Sequence, residues 1–141
     1  MPTLPPDEAW RRLAEARVAY LATVRADGRP HVVPIVFAVD DDRTIYSIAD
    51  PKPKSGLELL RHRNIVANPA VSLLVDAYDE AWERLWWVRA DGMARIAEDG
   101  PAHETAIRLL RARYPQYERW TTPFGAATVV TVERLTSWTF E

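Results

Sequence analysis

The chain has 141 residues and a mass of 16.1 kDa, which fits one compact domain over 1–141. Apolar residues make up 48% and charged ones 27%, the balance of a globular chain rather than a disordered or membrane-embedded one. The formal charge of −2 argues against a nucleic-acid binder, and zero cysteines exclude disulfides, thiolate nucleophiles and cysteine-ligated metal centres.

The chain opens without a charged-then-apolar leader pattern, and no run of 18 apolar residues follows, so the expectation is a cytoplasmic protein with no membrane partner. Pro5, Pro6, Asp7 and Glu8 read as a helix start, and Trp10, Leu13, Ala14 and Arg17 recur at helical spacing, predicting a helix over 6–16. Residues 18–24 (VAYLATV) are apolar on both alternating faces, as in a strand buried on two sides. Asp27-Gly28 signals a hairpin into a second strand over 31–39 (HVVPIVFAV). Asp40–42 turn the chain into a third strand over 44–48, and the three consecutive strands form a meander.

The text then changes to ADPKPKSGLELLRHR. Pro51 and Pro53 stiffen an extended linker, and Ser55 with Glu58 makes a capping box for a helix over 55–64, ending before Asn68-Pro69. Strand four is expected over 71–75 and a long strand five over 85–96, with Asp91-Gly92 marking a bulge or bend. Asp99, Gly100 and Pro101 open a third helix that Tyr114-Pro115 closes. Residues 128–132 and 138–140 end the chain as a strand or a kinked strand pair. The fold class is therefore mainly β: an antiparallel barrel of six to seven strands with three short peripheral helices.

Chemistry concentrates in residues 47–63. All but two of the 18 basic residues are arginine, and the exceptions, Lys52 and Lys54, stand just ahead of the expected Ser55 cap. Ammonium groups at the positive end of a helix cost stability unless an anion sits there, held by backbone N–H groups and the Ser55 hydroxyl. Arg61 and Arg63, one to two turns on, offer positive groups to a second anion. Solvated loop lysines and a wet helix face explain the same residues about as well. Pro34 interrupts a central-looking strand and removes a ladder donor, which suits either an edge opening onto a planar ligand or a plain edge strand. Six tryptophans are present, and Trp86 and Trp87 must face opposite sides of strand five, one filling the barrel and the other left for a partner chain or flat ligand. Trp138, Trp120, Tyr117 and Phe124 could form a lid or an interface on the same reasoning. His31, His62 and His103 are too scattered for a metal site, and no catalytic serine elbow, Walker loop or dinucleotide fingerprint occurs. No catalytic side chain is assigned; reactive chemistry would be borrowed from a cofactor.

YLATVRADGRPHVVPIVFAVD, YSIADPKPK, LRHRNIVANPAVSLLVDAY and WWVRADGMARI together resemble the split β-barrel flavin-binding proteins of the pyridoxamine 5′-phosphate oxidase class. More narrowly the chain is similar to their actinobacterial branch that uses the deazaflavin coenzyme F420. The resemblance implies that Lys52 and Lys54 bind the cofactor's phosphate and that Ser47 and Ser55 border the same pocket. It places Val33, Pro34, Ile35 and Val36 beside the ring. Some relatives carry asparagine or serine where Pro34 stands, so ring contacts here fall to backbone or to a second subunit. It also implies a homodimer with cofactor at the subunit interface, and makes Trp86, Trp87 and Trp138 candidates to line that site.

The expected function is hydride transfer between F420 and a small unsaturated organic substrate, with Arg61 and Arg63 meeting the glutamate tail. The alternatives are an FMN-dependent oxidase or flavin reductase, in which the two arginines are idle, and a non-catalytic flavin or deazaflavin carrier.

Overall fold

The computed structural model describes residues 2–50, 59–119 and 124–140. Seven antiparallel strands form one sheet: β1 (Ala19–Val24), β2 (Pro30–Ile35), β3 (Ala38–Val39), β4 (Thr44–Ile48), β5 (Ala70–Ala77), β6 (Trp86–Ala97) and β7 (Ala127–Thr139). Helices α1 (Pro6–Glu15), α2 (Leu60–Ala67) and α3 (Gly100–Arg113) pack around it. The strand order is β2-β1-β5-β6-β7-β4-β3. Its two ends, β2 and β3, are separated in the chain only by Val36 and Phe37. Three backbone steps reach about 11 Å at most, so the sheet must curl until its ends approach. The outcome is the expected split barrel.

That closure corrects the expected meander. The run over 31–39 is not one strand; its first part pairs with β1 and its last two residues pair with β4. A segment apolar on both faces suits either ladder, so composition cannot show where it changes partner. Pro34 falls on β2, which stands at an end of the order, and its missing donor is tolerated there.

The C-terminal segment is one 13-residue strand, not a kinked pair. Its irregularity lies opposite Asp91 and Gly92: Asp91 pairs with Arg134 and Gly92 with Val132, leaving Glu133 as the extra residue. The bulge reverses side-chain parity, so Leu135 on one side of it and Val132 and Val130 on the other all reach the inner core. That core joins Leu13 of α1 and Ile65 of α2 to Leu21, Phe37, Ile45, Leu73, Val75 and Val88. A second cluster sets Ala106 and Leu110 of α3, with Tyr114 and Tyr117, against Tyr46, Ile48, Ala127 and Val129.

Helix α2 also departs from expectation. It starts at Leu60, with an extended Leu59 as N-cap and no side-chain cap, and runs on to Ala67. The expected cap at Ser55 lies outside the described residues, but the extended Leu59 shows that the helix carrying Arg61 and Arg63 begins at Leu60. Arg61 becomes the second residue of the helix, not a residue one turn along it. Among the described residues no helix is long and apolar enough to cross a membrane.

Candidate functional site

The break between β2 and β3 leaves backbone groups without ladder partners, and side chains satisfy them. The Ser47 hydroxyl donates to the Val36 carbonyl at 3.1 Å. Arg113 donates to the Phe37 carbonyl at 2.8 Å and also bonds the Ala16 carbonyl. The Tyr114 hydroxyl reaches the Arg17 carbonyl at 2.9 Å and the Phe37 carbonyl at 3.2 Å. The end of α3 thus ties the α1–β1 junction to the barrel seam. Burial lowers the Arg113 pKa, with Arg17 adding to the effect. Sequence reasoning missed Arg113 and Tyr114, because Tyr114-Pro115 reads only as a helix stop.

Ser47 is buried and braces the β2–β3 break at Val36. Val33 and Ile35 share one side of β2, opposite Leu21 and Ala19, and pack on the inner core. Pro34 points the other way and is exposed, opposite Tyr20. Of the four residues expected beside a ring, Val33 and Ile35 are therefore core, and Pro34 and the half-buried Val36 retain exposed surface. Past Ser47, β4 ends at Ile48 and the chain continues through Ala49 and Asp50. Gly125 approaches so closely that a Cβ there would lie 2.9 Å from the Asp50 carbonyl oxygen. His103 Nε2 bonds the Gly125 carbonyl at 2.8 Å and holds that approach from α3.

Lys52, Lys54 and Ser55 lie outside the described residues. Arg61 and Arg63, by contrast, are described, and the helix separates them: Arg61 is half-buried while Arg63 is exposed. Two positions along a helix are about 200° around its axis, so the two arginines stand on nearly opposite faces. The Arg61 Nε is sealed from solvent with no hydrogen-bond partner, and among the described residues its guanidinium makes no ion pair. Burial lowers its pKa, opposed by Asp50 and Tyr117, which are its electrostatic neighbours. Next to it His62 is buried, and desolvation together with Arg61 depresses its pKa to about 4. Tyr117 is pushed up to about 12, mainly by burial. On the inner side of α2, Asn64 donates to the Thr23 hydroxyl at 3.0 Å, a buried polar pair that anchors the helix to β1.

The tryptophans form a separate group. Trp86 packs on the core under Arg12, whose guanidinium lies 5.1 Å from its ring, and Trp87 faces outward, paired with Trp138 across the ladder. The two indoles therefore part as expected, one to the core and one outside. Trp87, Trp138, Leu74, Tyr78 and Arg89 line an open groove of about 370 Å³. Tyr117 and Phe124 instead pack against each other on the α3 side, 5.5 Å apart, and Trp120 lies outside the described residues. Among the described residues Trp138 therefore forms no common lid with Tyr117 and Phe124.

Ser47 pairs with Thr128, and Trp138 stands ten residues farther along the same strand. At strand rise that is roughly 33 Å. Ser47 and Trp138 thus lie far apart along β7, whereas Pro34 stands only two pairings from Leu74, which lines the tryptophan groove. The outer sheet face carries a row in register, Pro34–Tyr20–Leu74–Arg89, with Val32 and Met93 also exposed. Asp91 lies on this face; burial works against its ionised form, but the Ser72 hydroxyl and Arg89 hold its pKa below the usual value.

With the seam, the curled seven-stranded sheet and the α3 brace in view, the family model for pyridoxamine 5′-phosphate oxidase matches residues 6–139. The chain belongs to that family. Solved structures agree on the fold. A conserved hypothetical protein from Mycobacterium tuberculosis superposes with a TM-score of 0.79 at 22% identity, covering 96% of this chain and 85% of that one. An FAD-binding protein from Mesorhizobium loti gives 0.71 at 25% identity, covering 96% and 93%. An FAD-binding protein from Mycobacterium smegmatis gives 0.64 at 22%, covering 99% of each chain. Membership of the pyridoxamine 5′-phosphate oxidase family thus extends over almost the whole barrel.

Proposed function

We propose that the protein is a flavin-type oxidoreductase that uses the deazaflavin F420 to reduce a small unsaturated substrate, working as a homodimer. The family supports a flavin-class cofactor, as do structural relatives named for FAD binding. The observation that carries the reading is the half-buried Arg61 guanidinium beside the barrel seam, whose Nε has no partner among the described residues and which suits the phosphate of such a cofactor.

A bound deazaflavin would supply hydride transfer at its central ring carbon. The chain's own residues bind, orient and exclude water. Pro34 and Val36 present a rigid, apolar wall that Ser47 and Arg113 hold in place. Arg61 neutralises negative charge. Tyr20 is the exposed aromatic side chain beside Pro34, and a second copy is assigned to complete the cover of the ring. The in-register outer row offers it an apolar surface, and Arg89, Asp91 and Arg134 supply both charge signs for a two-fold contact.

FMN is the second reading, favoured by the flavin names of the structural relatives. The test is the absorbance spectrum of protein purified from a deazaflavin-producing host, followed by titration with F420 and FMN and by turnover assays with reduced coenzyme. Co-purified deazaflavin and turnover are expected. Flavin bands, or tight binding of FMN alone, would overturn the F420 assignment; bound but inert cofactor would leave a carrier.

A further inference from the structure

We infer that the open groove beside Trp87 and Trp138 is a further ligand site, which takes a flat aromatic acid with its carboxylate turned to Arg89. The inference goes beyond the flavin-type reading above, and its test needs no coenzyme.

Two rows of the outer sheet face form the floor of the groove. Asp76, Trp87 and Trp138 stand in register across β5, β6 and β7, and Leu74, Arg89 and Thr136 form the next row. Directly opposed indoles ordinarily pack on one another. Among the described residues these two do not. Trp138 turns to Phe140, 6.4 Å away at 90°, and Trp87 lies under the Arg89 guanidinium, 5.7 Å from its ring. The groove between them has about 370 Å³, walled also by Leu74 and Tyr78, which is room for a small flat ligand.

Charge selects the occupant. Arg89 donates from Nε to Asp91 at 3.2 Å, and its η nitrogens have no acceptor among the described residues. Arg134 stands opposite the same Asp91, so two cations share one carboxylate. Thr136, beside Arg89, has a hydroxyl oxygen buried without a hydrogen-bond partner. This end of the groove therefore carries a positive excess and unspent donors, which a carboxylate satisfies through the two η nitrogens. The rows are two residues apart, about 7 Å along the strands, so a carboxylate carried directly on a ring seated between the indoles reaches Arg89. Exposed Asp76 lines the other end and repels a second negative charge, so the ligand is a monoacid.

The experiment titrates the full-length protein, without coenzyme, with 2-naphthoate, its uncharged amide and cyclohexanecarboxylate, following heat. Naphthoate is expected to bind with a dissociation constant below about 1 mM, and the other two about tenfold more weakly. Arg89→Gln should weaken naphthoate about tenfold and leave the amide within about twofold, which also reports that the groove is still folded. Arg134→Gln removes a charge from the same cluster outside the groove and should cost less than about threefold. Trp138→Leu should weaken acid and amide together. Naphthoate that fails to bind, equal binding of acid and amide, or indifference to Arg89→Gln overturns the inference while leaving the flavin reading intact. Displacement of naphthoate by FMN also overturns it, by making the groove part of the cofactor site. A dimer that Trp138→Leu splits, with no naphthoate uptake by the wild type, overturns it in favour of a second copy seated in the groove.

Discussion

Gly92 is the position at which one methyl group would disturb the barrel most directly. A Cβ built there would lie 2.1 Å from the Thr131 carbonyl oxygen and 3.0 Å from Val132 Cα, both backbone atoms of β7. Ordinary contact requires the strand to retreat by about 1 Å, which the neighbouring ladder on either side resists. Overpacking of this kind costs about 1–3 kcal/mol, and each ladder hydrogen bond stretched at the bulge adds about 1 kcal/mol. Gly92→Ala should therefore destabilise the protein by about 3 kcal/mol. With a urea slope of about 2 kcal/mol per molar, the midpoint falls by about 1.5 M. Met93→Ala is the comparison, since Met93 is exposed on the outer face and its truncation leaves no internal cavity. A Gly92→Ala midpoint close to that of the wild type would show that β7 does not approach β6 as described, and would remove the parity argument for the Glu133 bulge.

Tyr114→Phe deletes the hydroxyl shared by the Arg17 and Phe37 carbonyls, and thermal or urea unfolding should register a loss of about 2 kcal/mol. His62 is kept neutral in the fold with a pKa of about 4, below its ordinary 6.5. Above pH 6.5 it is neutral in both states; as pH falls toward 4 the unfolded chain binds a proton that the fold refuses, so stability drops by up to about 1.4 kcal/mol per pH unit. His62→Gln should flatten that window in urea midpoints measured across it, and an unaltered slope would contradict the burial of a neutral ring. Tyr20→Glu with Leu74→Arg places charges on neighbouring positions of the outer row. Sedimentation should show monomers in place of dimers, with cofactor affinity lost in parallel; a dimer that persists would locate the contact on another face.

Much of the barrel is legible in residue order. Helix α1 starts at Pro6, as proline followed by Asp7 and Glu8 dictates, and β4 occupies 44–48 as alternation and the aspartate turn require. Gly28 takes the positive φ that the hairpin demands. These features depend on neighbours a few residues apart, so local text specifies them. The resemblance in YSIADPKPK and DGRPHVVPIV likewise pointed to the family that matches residues 6–139.

Other features belong to contacts between distant segments. Helix α2 is docked by packing of Ile65 and by the Asn64–Thr23 bond, neither of which propensity contains. The Arg113–Phe37 bond joins residues 76 apart in the chain. Local composition determined which stretches would be strands, which helices, and which class of fold they build. Tertiary closure decided that 31–39 splits at Val36–Phe37, that Arg61 turns inward while Arg63 stays in water, and that Trp138 lies far along β7 from Ser47. The physical reason is that burial of a charge and the choice of ladder partner are set by whatever the curled sheet brings alongside.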